Sequence, residues 1–261
     1  EENKEVGMKI GRGRVATTAK DIYEQLEKAW RPVFNPFFHV KDAYPKFKEK
    51  YGKLIKKGIG ETGELTKEDL REAINSMNDD RSVASCGWRV AEMKELPDAI
   101  LQKFVELLQD IENGGEWPEF AEAVFTTMIE KTEDPNAMEV EAKLMMAPEP
   151  MGMRPINNFT PWYSAWSKAR FQAMEEWRET WMPEGMHGSR KEHEALEVVY
   201  EHATHMERQA AAGKPAAAVS LDWSKFFDSV RRTIGEQLVQ EMAGDEQGRK
   251  VFRAEQRLLK K

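Results

Sequence analysis

The residues best placed to do chemistry lie in VSLDWSKFFDSV (219–230), where the carboxylate of Asp222 ends a short apolar run and two phenylalanines follow. The run AAAVSL (216–221) comes after Gly213 and Pro215, so its pattern predicts a short buried strand opened by a turn. Asp222 would emerge at its end, and Phe226, Phe227 and Val230 then follow at helical spacing. A hard carboxylate on a rigid strand end suits Mg²⁺, which takes oxygen ligands and is shared with substrate phosphates.

The elements that must position this carboxylate are mostly helical. A helix is predicted over 18–30, ended by Pro32. Thr66 can cap a helix running to about Met77, with Asp69 at the third position returning the bond. Another starts at Pro97 and offers Ile100, Leu101, Phe104, Leu107, Leu108 and Ile111 as an apolar face before Gly114 and Gly115 stop it. A helix is expected from Pro118 to about Lys131. The alternating run VEAKLMMA (140–147) and MRPIN (153–157) then read as a hairpin turned by Pro148, Pro150 and Gly152. Long helices follow near 162–181 and 190–212.

Several pieces, in order, resemble the reverse transcriptases of non-LTR retroelements and group II introns. The segment at Asp222 looks like motif A of that family, a strand ending in D-x-x-K-x-F-D. MRPINN (153–158) is similar to the fingers motif built on R-P-I or R-P-L. EGMHGSRKEHEALE (184–197) aligns without a gap on G-F-R-x-G-R-S-x-x-D-A-I through Gly185, Arg190, Ala195 and Leu196. CGWRVAEMKELP (86–97) and GGEWPEF (114–120) resemble the region that opens such domains. The likeness covers roughly 64–261, and its specificity lies in the order of the pieces.

The resemblance implies an α+β fold: predominantly helical fingers with a β-hairpin, plus the first part of a palm. It implies RNA-directed DNA polymerisation, in which a primer 3′-hydroxyl attacks a deoxynucleoside triphosphate between two Mg²⁺ ions about 4 Å apart. Asp222 would bridge the ions and the backbone carbonyl of Trp223 would add a ligand. Arg154 would clamp the triphosphate through charged, bidentate hydrogen bonds. Phe227 would occupy the space of a ribose 2′-hydroxyl. The residues themselves leave plainer roles open: a surface ion pair for Arg154, core packing for Phe226 and Phe227, and a helix cap for Asp228.

Departures from the family pattern limit the activity expected of this chain. The second metal-binding element, an aromatic-x-D-D hairpin, does not occur in the 39 residues after Asp222. Motif C and the thumb are therefore expected to be absent, and one aspartate holds two Mg²⁺ ions weakly. Glu149 stands where relatives carry lysine, and His187 where they carry arginine. The alternatives are a non-catalytic RNA-binding or interaction module and a nonfunctional retroelement remnant.

Charge is distributed unevenly. The net charge is −7, yet residues 1–60 carry 14 Lys+Arg against 8 Asp+Glu, a balance of +6 that leaves −13 for the rest. The chain thus divides into a basic helical arm, 1–63, and the polymerase-like region, 64–261. GRGR (11–14) and KFKEKYGKLIKK (46–57) in the arm offer phosphate contacts or simply a solvated basic face. No apolar run would span a bilayer and no signal-peptide pattern opens the chain, so a soluble intracellular protein is expected. The only cysteine, Cys86, precludes an intrachain disulfide.

Other motifs read as ordinary structure. Asp79-Asp80 is a polar helix end, and GIGETG (58–63) is a loop despite matching G-x-G-x-x-G. His193, His202 and His205 are expected on one helix, as a solvated face and not a zinc site. Trp162, Trp166, Trp177 and Trp181 read first as a core stripe and second as a base-stacking platform.

Overall fold

The computed structural model describes residues 8–10, 14–34, 43–58, 62–81, 83–130, 149–188, 190–243 and 245–259. These residues are mostly helical, with two small antiparallel strand pairs, which agrees with an α+β fold at that coarse level. The first ribbon joins β1 (Met8–Ile10) to β2 (Arg14–Ala16), with Met8 opposite Ala16. Helix α1 (Ala19–Phe34) follows, and it runs through Pro32 instead of stopping there. A proline in the last turn removes only one backbone hydrogen bond, and stacking of Trp30 on Phe34 at 5.5 Å helps hold that turn.

Helix α2 (Tyr44–Tyr51) leads to α3 (Lys67–Asn75), which opens with the expected capping box. Thr66 Oγ1 accepts from the Asp69 N–H at 3.1 Å, and the Asp69 carboxylate accepts from the Thr66 N–H at 2.9 Å. After the short α4 (Val90–Lys94) comes α5 (Asp98–Glu112), which buries Leu101, Val105, Leu108, Ile111 and Glu112. The buried stripe is rotated from the one predicted, because Ile100 and Leu107 remain exposed. Gly114 ends the helix at φ +118°, and at Gly115 a Cβ would meet the Asp110 carbonyl oxygen at 2.9 Å.

The helix expected over 118–131 is not formed. A single turn, α6 (Glu119–Glu122), gives way to β3 (Phe125–Glu130), which pairs antiparallel with β4 (Met153–Asn158) in the register Thr126 to Asn157. The β-branched Thr126, Thr127 and Ile129 favour the strand, and Thr126 Oγ1 bonds Asn157 Oδ1 across it at 2.7 Å. MRPIN is thus a strand as expected; its predicted partner, 140–147, lies outside the described residues.

Helix α7 (Pro161–Ala173) is separated at Met174 from α8 (Glu175–Trp181), and α9 (Ala195–Ala211) stands after a long loop. Then come α10 (Phe226–Ser229), α11 (Arg232–Met242) and α12 (Glu246–Leu259). The core gathers α3, α4, α5, α7 and α12, with Trp162 stacked on Phe104 at 3.5 Å and Trp117 edge-on to Trp166. Trp162 and Trp166 are therefore core residues, while Trp177 and Trp181 are half-buried. Contacts also join 1–63 to later residues: Gly58 N–H bonds the Met242 carbonyl at 3.0 Å, and Lys48 pairs with Glu241 at 2.5 Å.

Inside this core sits one ion pair, Glu112 with Arg170, both side chains at most 3% exposed. Arg170→Met leaves a buried carboxylate without its cation, and a loss of about 3–5 kcal/mol is expected in chemical denaturation. The double variant Glu112→Leu/Arg170→Met should recover part of that loss, since it removes the stranded charge.

Candidate functional site

The segment around Asp222 does not adopt the buried strand that the sequence suggested. Residues 214–223 are exposed and outside any strand, with Val219 at 82% and Leu221 at 76% exposure. A strand needs a neighbour to bond its N–H and C=O groups, and none pairs with it among the described residues. Three consecutive alanines also bury little apolar surface and have low strand preference. Asp222 is consequently an exposed carboxylate, and the Trp223 carbonyl accepts the Phe226 N–H at 3.2 Å, closing the turn into α10.

What anchors this segment is Lys225, the lysine of D-x-x-K-x-F-D. Its ammonium lies 4.1 Å from the centre of the Trp30 ring and donates to the backbone carbonyls of Met151 at 3.1 Å and Met153 at 3.4 Å. Trp30 in turn donates its indole N–H to the Pro150 carbonyl at 3.0 Å. A cation over an indole face, with carbonyl oxygens on its other side, is favourable for both partners. Three distant stretches therefore meet: α1, the 3-10 turn Pro150–Gly152 that enters β4, and α10.

Lys225 also sits at φ +53°, ψ +33°, in the left-handed region. That conformation costs a non-glycine residue of order 1 kcal/mol and is retained when surrounding contacts fix it. Here it swings the chain from the exposed 214–223 stretch into α10 while the ammonium remains on Trp30.

Arg154 is the second residue of β4, exposed and paired in register with Ile129. It adjoins Met153, whose carbonyl accepts from the Lys225 ammonium, so this side chain joins the Asp222 segment to the R-P-I strand. Phe227 lies within α10, and Phe226 is half-exposed instead of packed in the core. The described geometry links the segment of Asp222 to the strand of Arg154 through Lys225. Lys225 and Trp30 were not picked out from the sequence. The lysine's fixed place in the motif was available as a signal, but nothing in the spacing of residues tied Trp30 to it.

Near the other end of β4, beyond Phe159, a shallow open cleft of about 540 Å³ lies between α3 and α7, lined by Met77, Arg81, Tyr163 and Lys168 among others. Lys168 donates across it to the Ser76 carbonyl at 3.1 Å. Burial and the neighbouring Glu255 carboxylate push the Tyr163 hydroxyl pKa up, so this phenol stays protonated there. No described residue of the Asp222 segment lines the cleft.

The expected histidine grouping is also revised. His202 and His205 are exposed on α9, whereas His193 precedes that helix and meets His187, 3.2 Å away between their Nδ1 atoms. Asp79, of the D-D pair, bonds Lys94 at 2.6 Å as part of a polar helix end.

Lys225→Ala removes the ammonium from Trp30 and both carbonyls. Faster hydrogen exchange is expected at the Phe226 amide, with unchanged protection in α5 and α7. Unaltered exchange at Phe226 would mean that the lysine does not hold the segment. In comparisons with known proteins, no protein-family model and no curated protein matches this chain.

Proposed function

We propose that the chain is the fingers and first palm segment of an RNA-directed DNA polymerase, with Asp222 a Mg²⁺ ligand and Arg154 a contact for the nucleotide's phosphates. The observation that carries this reading is the Lys225 bridge. It ties the segment bearing Asp222 to the strand bearing Arg154, which supports reading the two residues as parts of one site. Both side chains are exposed, as groups that receive a solvated triphosphate must be. The Trp223 carbonyl would have to leave the Phe226 N–H, or use its second lone pair, to join the ion. Phe227 would act as the sugar gate, and RNA template, DNA primer and deoxynucleotide are the partners this reading assigns.

Two Mg²⁺ ions need more carboxylates than Asp222 supplies, so binding and not turnover is the direct test on this chain. Titration with a deoxynucleoside triphosphate and Mg²⁺ should give weak, Mg²⁺-dependent binding. Arg154→Ala should weaken it about ten- to hundred-fold, the value of one charge-assisted contact. Asp222→Ala should remove the Mg²⁺ dependence. Binding that ignores both substitutions would overturn the assignment.

A second reading, RNA-backbone binding without catalysis, is favoured by α2 and the residues after it. Lys46, Lys50, Lys53, Lys56 and Lys57 are exposed, while Tyr51 is exposed beside Phe47 with the rings 5.2 Å apart and tilted. Lys48 is engaged by Glu241, whose carboxyl pKa it lowers, and contributes less. Neutralising the five exposed lysines should weaken single-stranded RNA binding and flatten its log–log salt dependence by about 3–4. An unchanged salt slope would dismiss the arm as the RNA contact.

A further inference from the structure

His187, His193 and Glu197 form a compact triangle of donor atoms. The Nδ1 atoms of the two histidines are 3.2 Å apart, and Glu197 Oε2 lies 3.1 Å from the first and 3.0 Å from the second. In a tetrahedral zinc site with bonds near 2.0–2.1 Å, donor atoms are separated by about 3.3 Å. The triangle thus has the size of one face of that tetrahedron. An ion about 1 Å above its plane would reach all three atoms at ordinary bond lengths.

The two rings are aimed at a common point. Both Nδ1 atoms face Glu197 Oε2 as well as each other, so a cation entering the triangle would displace the Nδ1 protons and take the nitrogen lone pairs in their place. On the far side of His187, Glu201 Oε2 lies 3.6 Å from Nε2. Glu201 thus stands just beyond hydrogen-bond reach of Nε2, on the side from which a carboxylate would orient the ring when Nδ1 ligates a metal. His187 is 8% exposed, a buried imidazole directed at two other ligating groups, while His193 and Glu197 are open enough to admit an ion and a water.

The loop that presents the histidines is preformed. Arg190, between them in sequence, bonds Glu179 of α8 at 2.7 Å and reaches the Pro183 and Met186 carbonyls at 3.4 Å. Glu192 holds φ +63° just before His193. The third ligand comes from the first turn of α9, a helix that buries none of its own side chains and leaves Leu196, Val199 and Tyr200 widely exposed. A metal would therefore join α9 to the loop at the end where it has no apolar anchor.

We propose that His187, His193 and Glu197 bind one Zn²⁺, with water in the fourth position. Imidazole nitrogen with one carboxylate selects zinc over Mg²⁺, so this site is distinct in chemistry from Asp222.

The test is calorimetric titration of the chelator-treated chain with ZnCl₂ in the presence of excess Mg²⁺, alongside thermal melting. One Zn²⁺ per chain should bind and raise the melting temperature in step with its concentration. His193→Gln and Glu197→Gln, on partly exposed residues, should each weaken binding at least tenfold while leaving the metal-free melting temperature in place. His202→Gln/His205→Gln should bind as the parent does. Co²⁺ substituted for Zn²⁺ should show the intense visible bands of a tetrahedral site, lost in His193→Gln. Absent binding, binding unaffected by His193→Gln and Glu197→Gln, or loss through His202→Gln/His205→Gln would each overturn the proposal.

Discussion

The carboxylate of Glu112 determines how the helices of the core can be arranged. It accepts from Trp166 Nε1 at 2.7 Å, Arg170 Nε at 2.7 Å, Arg170 Nη2 at 2.5 Å and Gln247 Nε2 at 2.7 Å, so α5, α7 and α12 converge on one group. Arg170 spends its remaining fork on the carbonyls of Thr62 and Gly63, which brings the entry to α3 into the same network. A buried ion pair gains little over apolar packing in net stability, but leaving either partner alone is costly. Its contribution here is to register. Sliding α7 by one residue would strand a charge, and sliding α12 would take the Gln247 amide away from the buried carboxylate.

That network also explains why the C-terminal helix belongs to the core although it follows the exposed Asp222 stretch. Trp117 donates to the Ala254 carbonyl at 2.7 Å, Lys250 reaches Asn113 at 2.9 Å, and Val251, Ala254 and Leu258 are buried beside α5. The chain thus leaves the core after α7 and returns to it in α12. Between α9 and α11 Lys225 holds the chain on Trp30, away from the apolar cluster. An exposed carboxylate there costs no burial, whereas the strand expected from AAAVSL would have required a partner for its backbone.

Local signals were readable wherever a short stretch determined its own structure. The Thr66 capping box, the Gly114-Gly115 stop and the burial of Trp162 and Trp166 all follow from residues within a few positions of each other. Reading failed where a distant partner decided. FTTMIE carries β-branched residues that argue against helix, yet only Asn157 and Ile156, some thirty positions on, give it a strand to pair with. The rotated face of α5 has the same origin: Glu112, a charge that periodicity excludes from a core, faces inward because Arg170 lies opposite.

The site residues divide along the same line. Asp222 and Arg154 were singled out from their motifs, but the contact that links their segments runs through Lys225 and two backbone carbonyls, which carry no side-chain signature. His187 was noted only as a departure from arginine, and its pairing with His193 depends on a loop whose shape Arg190 and the left-handed Glu192 impose. Arginine at that position would place a permanent cation against Glu197 and Glu201. Histidine places a smaller ring there instead, whose Nδ1 meets His193 and Glu197, the grouping on which the proposed metal site rests.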